Sequence, residues 1–119
     1  MTKEDLIKRN RKFAIDVLMT LELIPSDRVH DALVRQLVRS STSVGANYRA
    51  ACRGKSKADF IYKIEVVLEE ADESLYWLQA TKAAELVQHD KLDPLINEAN
   101  ELVSIFNATD ISAKRNRDK

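Results

Sequence analysis

Residues 25–54 read PSDRVHDALVRQLVRSSTSVGANYRAACRG, and this segment decides the fold. Placed at about 100° per residue, the helical increment, it carries several stripes where a simple surface helix carries one. Val29, Leu33, Gln36, Leu37, Ser40, Val44, Asn47 and Ala51 recur at helical spacing. Beside them run Val34, Val38, Ser41, Gly45, Tyr48 and Cys52. Arg28, Arg35, Arg39, Arg49 and Arg53 fill an arc of about 80° on the same wheel. A surface helix in a monomer needs a single apolar stripe. Adjacent apolar-or-small stripes predict burial against the helix's own bundle and against another subunit. Val34, Val38, Ser41, Gly45, Tyr48 and Cys52 are therefore the candidate oligomer interface. Gly45 lies deep in the helix, where it costs about 1 kcal/mol relative to alanine. Close approach of another helix is the usual reason to keep it.

Working outward, the chain has only Gly 2 and Pro 2 in 119 residues, so it predicts a few long helices in one domain. Helix 1 is expected from about Lys3 to Leu23, with Leu6, Phe13, Ala14, Val17, Leu18 and Leu21 inward. Pro25 stops it, and Ser26 or Asp27 caps the next helix. Gly54 is expected to end that helix as a left-handed cap. Ser56, with Asp59 three residues on, predicts a capping-box start for helix 3. Its core stripe is Phe60, Ile64, Val67, Leu68, Ala71, Leu75 and Leu78, and it runs to about Gln88. Helix 4 is expected from about Leu92 to Ala108, with Pro94 in its first turn. Short loops between such helices predict an all-α, up-down-up-down antiparallel four-helix bundle over residues 1–111, with 112–119 as a basic, disordered tail.

The formal net charge is zero, which argues against general coating of nucleic acid. Residues 28–63 nevertheless hold eight Lys/Arg against Asp31 and Asp59, and residues 64–101 hold ten Asp/Glu against Lys82 and Lys91. That asymmetry favours pairing between helices or subunits and leaves room for a local basic patch. No apolar run reaches the ~20 residues of a membrane span, and Met1–Asp5 has no signal-peptide apolar region. The lone Cys52 fits a reducing cytoplasm.

Catalytic constellations are scarce. A di-iron bundle needs paired Glu-x-x-His motifs; the only histidines, His30 and His89, belong to none. Glu65, Glu69, Asp72 and Glu73 lie opposite the core stripe of helix 3, as a solvated or salt-bridged face would. There is no glycine-rich phosphate loop, and Ser40–Ser43 has no histidine partner arrangement. No enzyme activity, metal, cofactor or small-molecule substrate is expected. The arginine stripe spans about 37 Å of helix and either tracks phosphates or meets carboxylates; the neutral total favours the latter. Tyr48, Tyr62, Tyr76 and Trp77 fall near the charged faces, where they suit base stacking or interface anchoring.

The run Gln36-Leu-Val-Arg-Ser-Ser-Thr-Ser-Val-Gly-Ala-Asn47, with Ser56-Lys-Ala-Asp-Phe-Ile61 and Glu69-Glu-Ala-Asp-Glu-Ser-Leu-Tyr-Trp-Leu78, resembles a bacterial four-helix-bundle family. That family was first noticed in intervening sequences of 23S ribosomal RNA genes and is related to accessory proteins of diversity-generating retroelements. The resemblance implies a ring-like homopentamer with no catalytic residues. The retroelement relatives are strongly basic and bind nucleic acid, whereas this chain is neutral overall. The expectation is a cytoplasmic, non-enzymatic oligomeric scaffold or adaptor contacting RNA or a ribonucleoprotein through Arg35, Arg39, Arg49, Arg53, Lys55 and Lys57. The alternative is a purely protein-binding homo-oligomer whose arginines serve inter-subunit salt bridges.

Overall fold

The computed structural model describes residues 1–118 and contains four α-helices: α1 (Lys3–Leu21), α2 (Arg28–Cys52), α3 (Lys57–Ala83) and α4 (His89–Arg117). They form an elongated antiparallel bundle of 50 × 24 × 21 Å. The α2–α3 and α3–α4 seams are the most extensive, α1 lies mainly on α2, and α1–α4 is the loosest seam. No strand occurs among the described residues.

The starts of α1, α2 and α3 are written locally. Thr2 and Asp5 make a full capping box: the Asp5 N–H donates to Thr2 Oγ1 (3.1 Å), and the Thr2 N–H donates to Asp5 Oδ2 (2.9 Å). The Thr2 backbone N–H, then its side chain, hold the Asp5 carboxyl below its ordinary pKa. Asp27 caps α2 by accepting the His30 N–H at 2.7 Å. Ser56 caps α3 through the Asp59 N–H (3.1 Å). The return bond is not the expected one, because Asp59 accepts the N–H of Lys55 at 3.3 Å.

Gly54 is not left-handed, since no glycine has a positive φ. Its role is space: a Cβ there would lie 3.0 Å from both the Ala51 carbonyl and Asp59 Oδ2. The left-handed residue is Glu85 (φ 57°), which closes α3 five residues earlier than the Gln88 expected. Its turn is tied by Leu86 N–H to Thr81 O at 3.2 Å. Helix α4 then begins at His89, so Pro94 sits beyond the first turn and removes one helical donor. At its other end α4 continues to Arg117. Residues 112–117, expected as a disordered tail, are helical; Lys119 lies outside the described residues.

Phe13, Val17, Leu37, Val44, Ile64, Val67, Leu78, Leu92, Leu102 and Phe106 are fully buried along the bundle axis. Each large side chain so buried contributes about 1.5–3 kcal/mol. The buried hydroxyls satisfy themselves on their own helices: Ser74 donates to Glu70 O (2.8 Å) and Thr81 to Trp77 O (2.7 Å). Tyr48 packs on Phe106 with ring centroids 5.4 Å apart. Its burial raises the phenol pKa well above the ordinary range, so the hydroxyl stays protonated.

The second stripe of α2 is used inside the chain. Ser41 is 0% and Tyr48 6% exposed, while Val34, Val38 and Cys52 are half-buried against the same core. Gly45 faces α1, where an added Cβ would meet Asn10 Cβ at 3.4 Å. Ser41 and Tyr48 are thus core residues of the chain itself, while Val34, Val38, Gly45 and Cys52 keep part of their surface. In a bundle α2 has packed neighbours on both sides, α1 and α3.

Candidate nucleic-acid interface

The six cations singled out in the sequence separate into different environments. Arg39 turns to α3, where Nη1 donates to Glu70 (3.0 Å to Oε2) and Nη2 to Glu73. Those hydrogen bonds, Glu73 first, hold its guanidinium above the ordinary arginine range. This is the carboxylate pairing that the charge asymmetry favoured, within one chain. Arg35 is exposed and stands ~21 Å along α2 from Arg49, at 1.5 Å per residue. Arg49, Arg53, Lys55 and Lys57 gather at the other end of α2, on the turn into α3. All four are exposed, and none has a carboxylate within 4.0 Å among the described residues.

Antiparallel topology brings the last turns of α4 to the same end. Residues Gly54–Lys57, Phe60 and Ile61 share a surface groove of about 400 Å³ with Ala113 and Asn116. Arg115, on the same turn of α4 but outside the groove's lining, is exposed and without an ion-pair partner among the described residues. Three of the local carboxylates are already engaged, whereas Glu4, at the start of α1 and close enough to act on Tyr48, is exposed without an ion-pair partner among the described residues. Asp59 meets Lys63 at 3.2 Å, Asp110 meets Lys114 at 2.9 Å and Asp118 meets Arg117 at 3.1 Å. Glu65, on the next turns of α3, lies 3.5 Å from Lys114. The result is an end where cations outnumber the carboxylates, Glu4 included.

Sequence reasoning missed Arg115 and Asn116 as members of this cluster. Their basic run was visible, but a disordered tail has no fixed position. The signal lay in Phe106, Asp110 and Ala113, which continue the inward face of α4 at helical spacing. Asp110 hides that continuation, because a carboxylate does not read as core. It is 7% exposed and its Oδ2 accepts from Lys114, one turn on.

The aromatic side chains divide as well. Tyr62 and Tyr76 are exposed on α3, and Tyr76 meets Trp77 edge-on at 5.0 Å. Among the described residues no group of three or more His, Cys, Asp or Glu is arranged to hold a metal ion. No described helix is long and apolar enough to cross a membrane.

Fold and charge together define an all-α four-helix bundle with one basic end. Residues 2–108 match the family of 23S rRNA-intervening sequence proteins, and the chain belongs to that family. A crystal structure of a protein of unknown function from the S23 ribosomal protein family of Bacteroides thetaiotaomicron is similar, with TM-score 0.80 and 27% identity. The match covers 87% of this chain and 96% of that one. No curated protein matches.

Proposed function

We propose that this chain is a non-enzymatic, cytoplasmic scaffold that assembles with copies of itself and contacts RNA through the basic end of its bundle. The observation that carries the RNA contact is the cluster Arg49, Arg53, Lys55, Lys57 and Arg115, exposed and without carboxylate partners among the described residues. Cations freed of counter-charge are the groups that exchange condensed counterions for phosphates. Membership of a family described by 23S rRNA intervening sequences agrees with an RNA ligand.

The surface that supports self-association is the exposed apolar face of α1 and the turn after it. Ile15, Leu18 and Met19 on α1, with Leu23 in the turn after it, are exposed, Met19 to 68%. A contiguous exposed apolar face marks a contact surface. The resemblance to the family adds a ring of five copies.

Fluorescence anisotropy with a labelled single-stranded RNA tests the RNA contact. With five phosphate contacts, affinity falls with salt at a log–log slope of about −3.5. Arg53→Glu with Lys57→Glu flattens that slope and weakens binding, while Arg35→Glu changes little. Equal binding by wild type and the double variant refutes the assignment. Light scattering tests assembly: a multiple of 13.5 kDa is expected, reduced to the monomer mass by Met19→Glu with Leu23→Glu.

The protein-only alternative draws support from Glu69 and Asp72, exposed on α3 without ion-pair partners among the described residues. On that alternative, reversing Arg49 and Arg53 dissociates the oligomer and no RNA binds at any salt concentration.

A further inference from the structure

The basic end is concave, and the floor of its groove is apolar. Ile61 is buried there, and Phe60 and Ala113 are half-buried. Lys55 and Lys57 stand on one wall, while Asn116 stands on the α4 wall beside Arg115. A surface that only tracks a double helix needs none of this relief. An RNA duplex presents phosphates, 2′-hydroxyls and a shallow minor groove, with its base faces stacked out of reach. An apolar floor under a cationic rim suits an unstacked base whose flanking phosphates reach the cations. The groove, about 400 Å³, falls in the size range of small-ligand sites, about 300–1,000 Å³.

We propose that this groove binds one unstacked nucleotide of single-stranded RNA, with its base over Phe60, Ile61 and Ala113 and its neighbouring phosphates on Lys55 and Lys57. The inference rests on the RNA contact proposed above and narrows it to single strands. Asn116 supplies an amide donor and acceptor for the edge of the base. Asp59, the carboxylate nearest the Lys55–Lys57 wall, does not oppose the phosphates as a free charge. Its Oδ2 accepts from Lys63 at 3.2 Å and from the Lys55 N–H at 3.3 Å. The same bonds, with the close approach of Gly54, fix the loop that carries the cations.

The test compares a labelled single strand of about 12 nucleotides with a duplex of the same sequence, using the full chain. Wild type is expected to prefer the single strand by about tenfold or more. Ala113→Trp fills the groove without changing charge. It should abolish the preference for the single strand, with a thermal melt to check the fold. Asn116→Trp, at an exposed position on the same wall, serves if Ala113→Trp does not fold. Equal wild-type affinity for strand and duplex overturns the groove assignment and leaves the basic contact standing. A single-strand preference that survives in a folded groove-filling variant overturns it too. Absence of salt-dependent binding to either RNA overturns the parent proposal and this one together.

Discussion

Asn10 and Gly45 show how a single contact sets the approach of two helices. Asn10 is 0% exposed, neither amide atom has a hydrogen-bond partner, and its Cβ lies opposite Gly45. A buried unsatisfied polar group costs about 1–3 kcal/mol. Asn10→Leu, close in size, should therefore raise the melting temperature; a fall would show that the amide is satisfied by buried water. At position 45 an alanine Cβ meets Asn10 at 3.4 Å, an ordinary contact at its close limit. Gly45→Ala should be neutral or stabilising by up to about 1 kcal/mol, whereas Gly45→Leu drives into α1 and should cost about 1–3 kcal/mol. Denaturant titration of both variants separates these outcomes, and equal stabilities would refute the tight approach. Glu85 offers the opposite case, a non-glycine residue at φ 57°. Glu85→Gly should stabilise by about 1 kcal/mol by relieving the left-handed strain; an unchanged denaturation midpoint would contradict it.

At the scale of the element, α1 is the most weakly held helix, and its ends and edges decide its behaviour. Its seam with α4 is bridged by Arg9, which donates from Nε and Nη2 to both oxygens of Glu98 at 2.7 Å and also reaches Glu101. Its start depends on Thr2 and Asp5. Because the folded pKa of Asp5 is depressed, the capping contribution is present above the ordinary value of 3.8 and is lost as pH falls through the lower folded value. A carboxyl NMR titration should place the Asp5 inflection below 3.8. Asp5→Asn should fray the first turn at neutral pH, seen as faster amide exchange; an inflection at or above the ordinary value would contradict the cap. The spans and core faces of α2 and α3 were legible in the sequence, because punctuation and apolar spacing are local. The extent of α4 was not. Its last turns bury a lysine-bonded carboxylate where a hydrophobe was sought.

For the whole molecule, zero net charge conceals a separation of charge along a 50 Å axis. Residues 49–57 and 111–118 supply Arg49, Arg53, Lys55, Lys57, Lys114, Arg115 and Arg117 against Asp118 alone, while ten carboxylates fall in residues 64–101. The chain should therefore bind a cation exchanger at low salt and pH 7 despite a pI near 6.7. Lys55→Glu with Lys57→Glu should release it, and flow-through of the wild type would show that the cations do not act as one patch. Sequence alone determined the helices, their order and most of the core, because helical periodicity and capping act over a few residues. It also supplied every charge in the basic end. Only the tertiary structure decided which charges stand together. Antiparallel packing places the end of α4 beside the α2–α3 turn, pairs Arg39 with α3, and turns Ser41 and Tyr48 of α2 inward. Those outcomes depend on contacts between segments distant in the chain, which no local pattern of residues encodes.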